Sequence, residues 1–236
     1  MNIIEHLSVV EDTRSDINQK HDLIDVIFLV ISAIASGCEG WQDIEYYGEE
    51  KLDWLRRYRP FEHGIPRRHT IARILRSVVA ESLLEALALW INEQRTSQNR
   101  SIIAFDGKVL RGSYRNDKKT ALRSIIAVER HRVINGKGTV DTSYYISSLS
   151  PNHKLLGHYI RQHWRIENSQ HYILDVVFKE DNSRITLDGA VENIALFRRF
   201  VMNMLKQCDC GAPSQKVKLK KAGWSDDYRS RVFFGL

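Results

Sequence analysis

Cysteine is scarce in this chain, which has only Cys38, Cys208 and Cys210 among its 236 residues. Three is an odd number, and the spacing does not match the paired ligands of a zinc finger. The sequence therefore predicts neither a disulfide framework nor a structural zinc site. Both absences favour a reducing compartment such as the cytoplasm.

Long apolar runs are also missing. The best candidate, residues 23–35, is too short to span about 30 Å of hydrocarbon, and Asp22 and Asp25 lie beside and within it. The chain does not begin with a signal-peptide pattern, and it contains no internal repeat or low-complexity tract. The sequence therefore predicts no membrane partner, and we interpret residues 23–35 as a buried helix.

The composition is that of an ordinary globular protein, with 43% hydrophobic and 27% charged residues. A chain of this length can bury the core of one large domain or of two small ones. Lys and Arg number 35 against 29 acids, which gives a net charge of +6. This excess suits phosphate-rich partners without identifying one.

The order of predicted elements indicates an α+β fold with a domain boundary near residue 98, in the polar run 96–100. Before it, periodicity predicts helices over residues 22–36, 41–58, 70–78 and 81–95. After it, runs rich in Ile, Val and Tyr predict strands over 102–110, 123–133 and 142–149, with a hairpin turn at Asn135-Gly136. Apolar residues at helical spacing predict two later helices, over 155–167 and 191–205.

Two groups of basic residues are candidate DNA contacts. The first follows Pro66 in the helical half and contains Arg67, Arg68, Arg73 and Arg76. A compact helical domain with one basic helix is a common design among DNA-binding proteins, but a basic helix is also often just an exposed face.

The second basic group lies in the C-terminal tail, at Lys218, Lys220 and Lys221. A compact positive patch of this kind attracts phosphates. The alternative is a solvated tail with no partner, because charge runs are common on surfaces.

Two acids occupy apolar surroundings. Asp106 ends the apolar run 102–105, and Glu167 lies on a predicted amphipathic helix. Burying an ionised carboxylate costs several kcal/mol unless a cation compensates it, which suggests a salt bridge or a shared metal ion. In the simpler interpretation Asp106 caps a turn, and Glu167 pairs with Arg161, Arg165 or Lys179.

A second metal hypothesis comes from spacing on the same helix. If that helix were continuous, side chains four residues apart would share one stripe that could bind zinc or iron. None of the short zinc-hydrolase motifs is present, and the histidines could instead pack beside Trp164 and Tyr172. The residues of this stripe are His163, Glu167, His171 and Asp175.

The segments around the two acids resemble one known family, the H-repeat-associated insertion-sequence transposases. The resemblance begins in the helical half and continues, in the same order, to the tail. It covers residues 36–44, 64–66, 104–111, 123–148, 163–168, 174–181 and 220–224.

The resemblance implies a DDE-type transposase with an RNase H-like core that cleaves and transfers DNA strands. Asp106 would be the first catalytic Asp and Glu167 the catalytic Glu, and together they would hold Mg²⁺ or Mn²⁺. The implied partners are the terminal inverted repeats of an insertion sequence and further copies of the chain. Basic residues near the two acids would add DNA contacts, namely Lys108, Arg111, Arg161 and Arg165.

One departure from the family pattern matters for activity. Family members carry a long stretch with the second catalytic Asp, whereas here residues 111–113 lead almost directly to 123–129. Only 61 residues separate Asp106 from Glu167. The resemblance therefore implies a helical transposase-associated domain over 1–98 and a truncated core over 99–236. It also implies a defective copy, either an impaired enzyme or a DNA-binding remnant.

Overall fold

A computed structural model describes residues 3–15, 19–93, 124–147, 149–166, 170–185, 189–208, 210–212 and 214–235. The chain divides into two compact units. The first, which we call the helical unit, contains residues 1–98 and 170–236, and the second, the hairpin unit, contains residues 99–169. Residues 170–236 therefore belong to the same unit as the N-terminal half.

The described part of the helical unit consists of α-helices and one 3₁₀ turn at Glu180–Asn182. The first six helices are α1 (Ile3–Leu7), α2 (Leu23–Ala35), α3 (Trp41–Glu50), α4 (Leu52–Leu55), α5 (Arg68–Arg76) and α6 (Ala80–Glu93). The hairpin unit contributes β1 (Ser124–Ile134), β2 (Lys137–Ser147) and α7 (Leu156–Ile166). The helical unit continues with α8 (Tyr172–Val176), α9 (Ala190–Gln207), α10 (Gln215–Trp224) and α11 (Asp226–Phe234).

Helix α2 forms the centre of the helical unit, as predicted for a buried helix. Twelve of its thirteen residues are buried, because apolar residues surround it on all sides. Asp22 caps its first turn by accepting a hydrogen bond from the backbone N–H of Asp25 at 3.0 Å. Helices α3, α5, α9 and α10 pack around it.

The C-terminal helix α11 packs against aromatic side chains of the N-terminal half. The buried guanidinium of Arg229 lies 4.1 Å from the ring centroid of Trp54, and the Trp54 indole N–H donates to Ser230 Oγ at 3.0 Å. Phe233 contacts Phe28 of α2 edge to face, with the ring centroids 5.8 Å apart. Residues 215–234 therefore form two packed helices, which corrects the prediction of a basic tail.

Two predicted helices differ from the observed ones. The helix predicted over 41–58 breaks at Lys51, whose backbone angles of −113° and 15° separate α3 from α4. The predicted basic helix begins two residues earlier than expected, at Arg68. Helices α2, α6, α7 and α9 lie where periodicity predicted them.

The hairpin unit contains the predicted β-hairpin. Asn135 and Gly136 both have positive φ, 50° and 76°, which is the backbone geometry of a tight two-residue turn. Antiparallel pairing runs from Ser124 opposite Ser147 to Ile134 opposite Lys137. Strand β2 therefore begins at Lys137, five residues before the prediction.

The predicted α+β class is confirmed by these helices and this two-stranded sheet. The predicted strand over 102–110 lies outside the described residues. The RNase H-like core stays a prediction. No helix in the described ranges is long and apolar enough to cross a membrane.

The cysteines behave differently from one another. Cys38 is free, and burial raises the pKa of its thiol to about 12. Cys208 and Cys210 lie close together after α9, with their Cα atoms 5.4 Å apart.

Candidate nucleic-acid interface

Helix α5 presents the predicted basic surface. Its apolar residues Ile71, Ile74 and Leu75 are buried, whereas Arg73 and Arg76 are exposed. The spacing of three residues places these two arginines on the same side of the helix, about 4.5 Å apart along its axis. The local sequence thus separates an apolar side that packs from a basic side that faces solvent.

Glu45 of α3 fixes the N-terminal end of α5. One carboxylate oxygen accepts from Arg67 Nη1 at 2.8 Å, and the other accepts from the backbone N–H of Arg68 at 2.8 Å. These bonds, led by that from the Arg67 guanidinium, hold the pKa of Glu45 below its usual value. Glu49 also pairs with Arg67, at 3.1 Å. The charge of Arg67 is therefore matched by two acids of the protein itself.

Arg68 belongs to a short chain of polar contacts on the surface. Its Nη1 donates to Gln42 Oε1 at 3.3 Å, and Gln42 Nε2 donates to the hydroxyl of Tyr46 at 2.8 Å. The Tyr46 side chain is exposed. These hydrogen bonds connect the first turn of α5 to α3, and they end at the exposed aromatic ring of Tyr46.

Asn193 of α9 fixes the C-terminal end of α5. Its amide is fully buried and donates to the carbonyl oxygens of Leu75, at 2.8 Å, and Val78, at 3.1 Å. The last carbonyls of a helix have no partner within the helix, so this amide satisfies groups that would otherwise be buried without one. Both ends of α5 are thus held by side chains from other helices.

Arg73 and Arg76 are the free cations of this surface. Within the described part of the chain, neither forms a hydrogen bond or an ion pair. Two positive charges in the last turn are also favoured by the helix dipole. Because other helices hold both ends of α5, the position of the helix that carries the two guanidinium groups is fixed.

The C-terminal lysines have separate surroundings on α10. The ammonium of Lys218 donates to the carbonyl oxygens of Leu205, at 2.7 Å, and Cys208, so it caps the end of α9. The Lys221 ammonium lies 5.6 Å from the Tyr228 ring centroid, within cation–π range. Lys220 is exposed and leaves its charge available to solvent.

Several predicted site residues lie outside the described residues. Both acids of the predicted metal site belong to this group, as do two of the basic residues near them. Arg161 is exposed on α7. Arg165 lies on the same helix, but its side chain is not among the described ones. The undescribed residues are Asp106, Lys108, Arg111 and Glu167.

The predicted histidine stripe lies only partly within the described residues. His171 and Asp175 belong to the helical unit, whereas Glu167 and the side chain of His163 lie outside the description. Among the described residues, no group of three or more His, Cys, Asp or Glu could hold a metal ion. The described residues therefore offer no metal site on which a reaction step could be built.

Sequence reasoning missed the two residues that position α5. Glu45 had a detectable signal, because it is a charged residue beside Ile44 and Tyr47 on the apolar stripe of α3. A carboxylate in such a stripe requires a partner. Asn193 lies between apolar residues of α9 in the same way, but its partners are 115 and 118 residues away.

Comparison with known proteins identifies the family. The family model described as DDE_Tnp_1-associated matches residues 4–91. The inactive transposase YbfQ of Escherichia coli K12 is 47% identical over 73 residues, which cover 31% of this chain and 87% of YbfQ. The chain belongs to the H-repeat-associated transposase family.

Longer family members extend this result. The H repeat-associated putative transposase YhhI of Escherichia coli K12 is 36% identical over 141 residues, which cover 59% of this chain but only 37% of YhhI. The chain thus matches little more than a third of that relative's length. No solved structure matches the chain.

The alignment with the putative transposase YncI of Escherichia coli O157:H7 is longer than this chain. The two sequences are 23% identical over 365 positions, which include 98% of this chain and 94% of YncI. This chain has 236 residues. At least 129 aligned positions (365 less 236) therefore have no residue in this family member.

Proposed function

We propose that this protein is a DDE transposase by descent that retains DNA binding and has lost strand cleavage. The observation that carries the proposal is a pair of exposed arginines on α5 that have no partner among the described residues. Helix α5 itself is held at both ends by side chains of the helical unit. The loss of strand cleavage is supported by the YncI positions that have no aligned residue in this chain. In its place of action, the bacterial cytoplasm, the protein would bind the terminal inverted repeats of an insertion sequence.

DNA binding follows from charge and geometry. Phosphates along DNA attract guanidinium groups, and each neutralised phosphate releases counterions, so the affinity falls as salt rises. Arg73 and Arg76 can make such contacts without first losing a protein partner. Arg67, in contrast, would have to share its guanidinium with Glu45 and Glu49. We therefore assign phosphate contact chiefly to Arg73 and Arg76.

Loss of cleavage follows from what the reaction requires. Two-metal phosphodiester chemistry needs several carboxylates that hold two ions about 3.5–4 Å apart. Family resemblance assigns Asp106 and Glu167 to this site, with Mg²⁺ or Mn²⁺. We propose that the second Asp belongs to the sequence absent from this chain. A site with one acid missing has too little negative charge and incomplete geometry.

The binding proposal is tested by titrating a terminal-repeat duplex with the purified chain at several salt concentrations. Arg73→Ala/Arg76→Ala should weaken binding and reduce the slope of log affinity against log salt by about 2, because each lost phosphate contact removes about one unit. The control is Arg57→Ala/Arg231→Ala, which removes two other exposed arginines of the helical unit.

The two double variants have the same net charge, so a general loss of positive charge affects both equally. Equal weakening in the two would assign binding to overall charge and contradict the role of α5. Salt-insensitive binding by the unmodified chain would contradict phosphate contact altogether.

A further inference from the structure

The β1–β2 hairpin has two faces of different character, because alternate residues of a strand point to opposite sides. On one face Ser124 is buried and Val128 is half-buried. The other face, which we call the apolar face, is exposed. It contains Ile125, Ala127, Glu129, His131 and Val133 of β1, and Gly138, Val140, Thr142, Tyr144 and Ile146 of β2.

Exposure on the apolar face is high for such large side chains. Exposed fractions reach 70% for Ile125, 74% for Tyr144 and 78% for Ile146 at the open end of the hairpin. Near the turn they are 75% for Val133 and 59% for Val140. Contiguous apolar surface of this kind marks an interaction site, and an isolated two-stranded hairpin is at best marginally stable without such packing.

The character of this face favours a protein partner. Arg130 and Arg132 lie on the opposite face, so the apolar face carries no cluster of positive charge for nucleic acid. The carboxylate of Glu129 and the imidazole of His131 contact each other on this face. If this face packed against another apolar surface, the Glu129 carboxylate would therefore keep His131 as its partner.

The register indicates which partner fits. Small residues lie opposite large ones, with Ala127 beside Tyr144 and Gly138 beside Val133. We propose that the apolar face binds the apolar face of a second copy of this chain, about a two-fold axis parallel to the strands.

In this arrangement β1 of each copy covers β2 of the other. Each Tyr144 then packs over the other copy's Ala127, and the Ile125–Ile146 rows stack on each other. Glu129 faces the Thr142 hydroxyl, so no like charges meet. An isologous contact of this kind closes on itself and limits assembly to a dimer.

This chain lacks at least 129 positions that are aligned in YncI. A second copy of the chain can supply the apolar surface that covers the hairpin.

Sedimentation velocity of the full chain over a wide concentration range tests the proposal. The unmodified chain should form a dimer that dissociates on dilution. Tyr144→Lys/Ile146→Lys should weaken dimerisation at least tenfold, because each dimer would then bury four charges. Leu84→Lys/Leu89→Lys is the control, since these side chains are similarly exposed on α6, at 53% and 50%, and should leave the dimer intact.

Circular dichroism of each variant checks that the fold is retained. A chain that is monomeric at every concentration, or a dimer unaffected by Tyr144→Lys/Ile146→Lys, would overturn the proposal. Assembly beyond the dimer would also overturn it, because the proposed contact closes.

Cross-linking tests the orientation of the two copies. Sheets that pack face to face lie about 10 Å apart, which a short thiol-reactive cross-linker can bridge. Glu129→Cys and Thr142→Cys chains should cross-link to each other when mixed, beyond the level of the unmodified chain. Preferential linkage of Glu129→Cys to itself would contradict the axis along the strands.

Discussion

At the N-terminal end of α5, one carboxylate holds two neighbouring arginines. Glu45 accepts from the Arg67 side chain and from the Arg68 backbone, and these bonds lower its pKa. A carboxyl whose pKa is lower in the folded state stabilises the protein at pH values above its unfolded pKa of about 4.3. That contribution is lost as the pH falls through the lower folded value.

Glu45→Gln should therefore lower the free energy of unfolding at pH 7 by about 1–3 kcal/mol, the usual cost of losing hydrogen bonds to a charged group. The difference from the unmodified chain should shrink as the pH falls from the unfolded pKa of about 4.3 through the lowered folded pKa, below which both chains carry a neutral side chain. Urea unfolding at pH 7 and pH 3 measures both values.

Glu50→Gln is the matched control, because Glu50 lies on the same helix and is exposed. It should change the free energy of unfolding little at either pH. A Glu45→Gln effect that is equally large at pH 7 and pH 3 would mean that the charge of Glu45 does not stabilise α5.

The residues that position α5 also show what the sequence could not predict about single side chains. The four arginines near α5 could be found from composition and helix spacing. Their different roles could not, because the pairing of Arg67 with Glu45 and Glu49 depends on how α3 packs against α5. Which arginine is paired depends on contacts between helices that are far apart in the sequence. A single sequence does not show these contacts.

Among the elements, strong local signals predicted structure best. Continuous apolar residues predicted α2, and Asn135-Gly136 predicted the hairpin turn. The first half of β2, residues 137–141, is exposed and lacks alternation, so its strand conformation depends on pairing across the turn. No proline marks the break at Lys51, so the sequence pattern did not predict it.

The packing of α9 and α11 gives the prediction at the scale of elements. Phe233 and Arg229 contact Phe28 and Trp54, and α9 packs against α2, α5 and α6. A fragment of residues 1–98 would expose these surfaces. We expect the fragment to lack the cooperative unfolding of the full chain, as measured by Trp fluorescence in urea. A fragment with the same unfolding midpoint as the full chain would contradict this dependence.

At the scale of the whole molecule, the α5 surface and the predicted catalytic acids belong to different parts of the chain. Residues from both ends of the sequence form one helical unit, which carries α5 and most of the buried core. The predicted catalytic acids, Asp106 and Glu167, belong to the other unit. Under the proposed function, an internal deletion in the hairpin unit would remove catalysis and leave the α5 surface folded.

One measurement tests binding without cleavage directly. Labelled terminal-repeat duplex is incubated with the full chain and Mg²⁺, and complex formation and strand breakage are measured in the same samples. The account predicts retarded but intact DNA, with breakage no higher than for Asp106→Ala. Nicking above that control, or no retardation at low salt, would contradict the account.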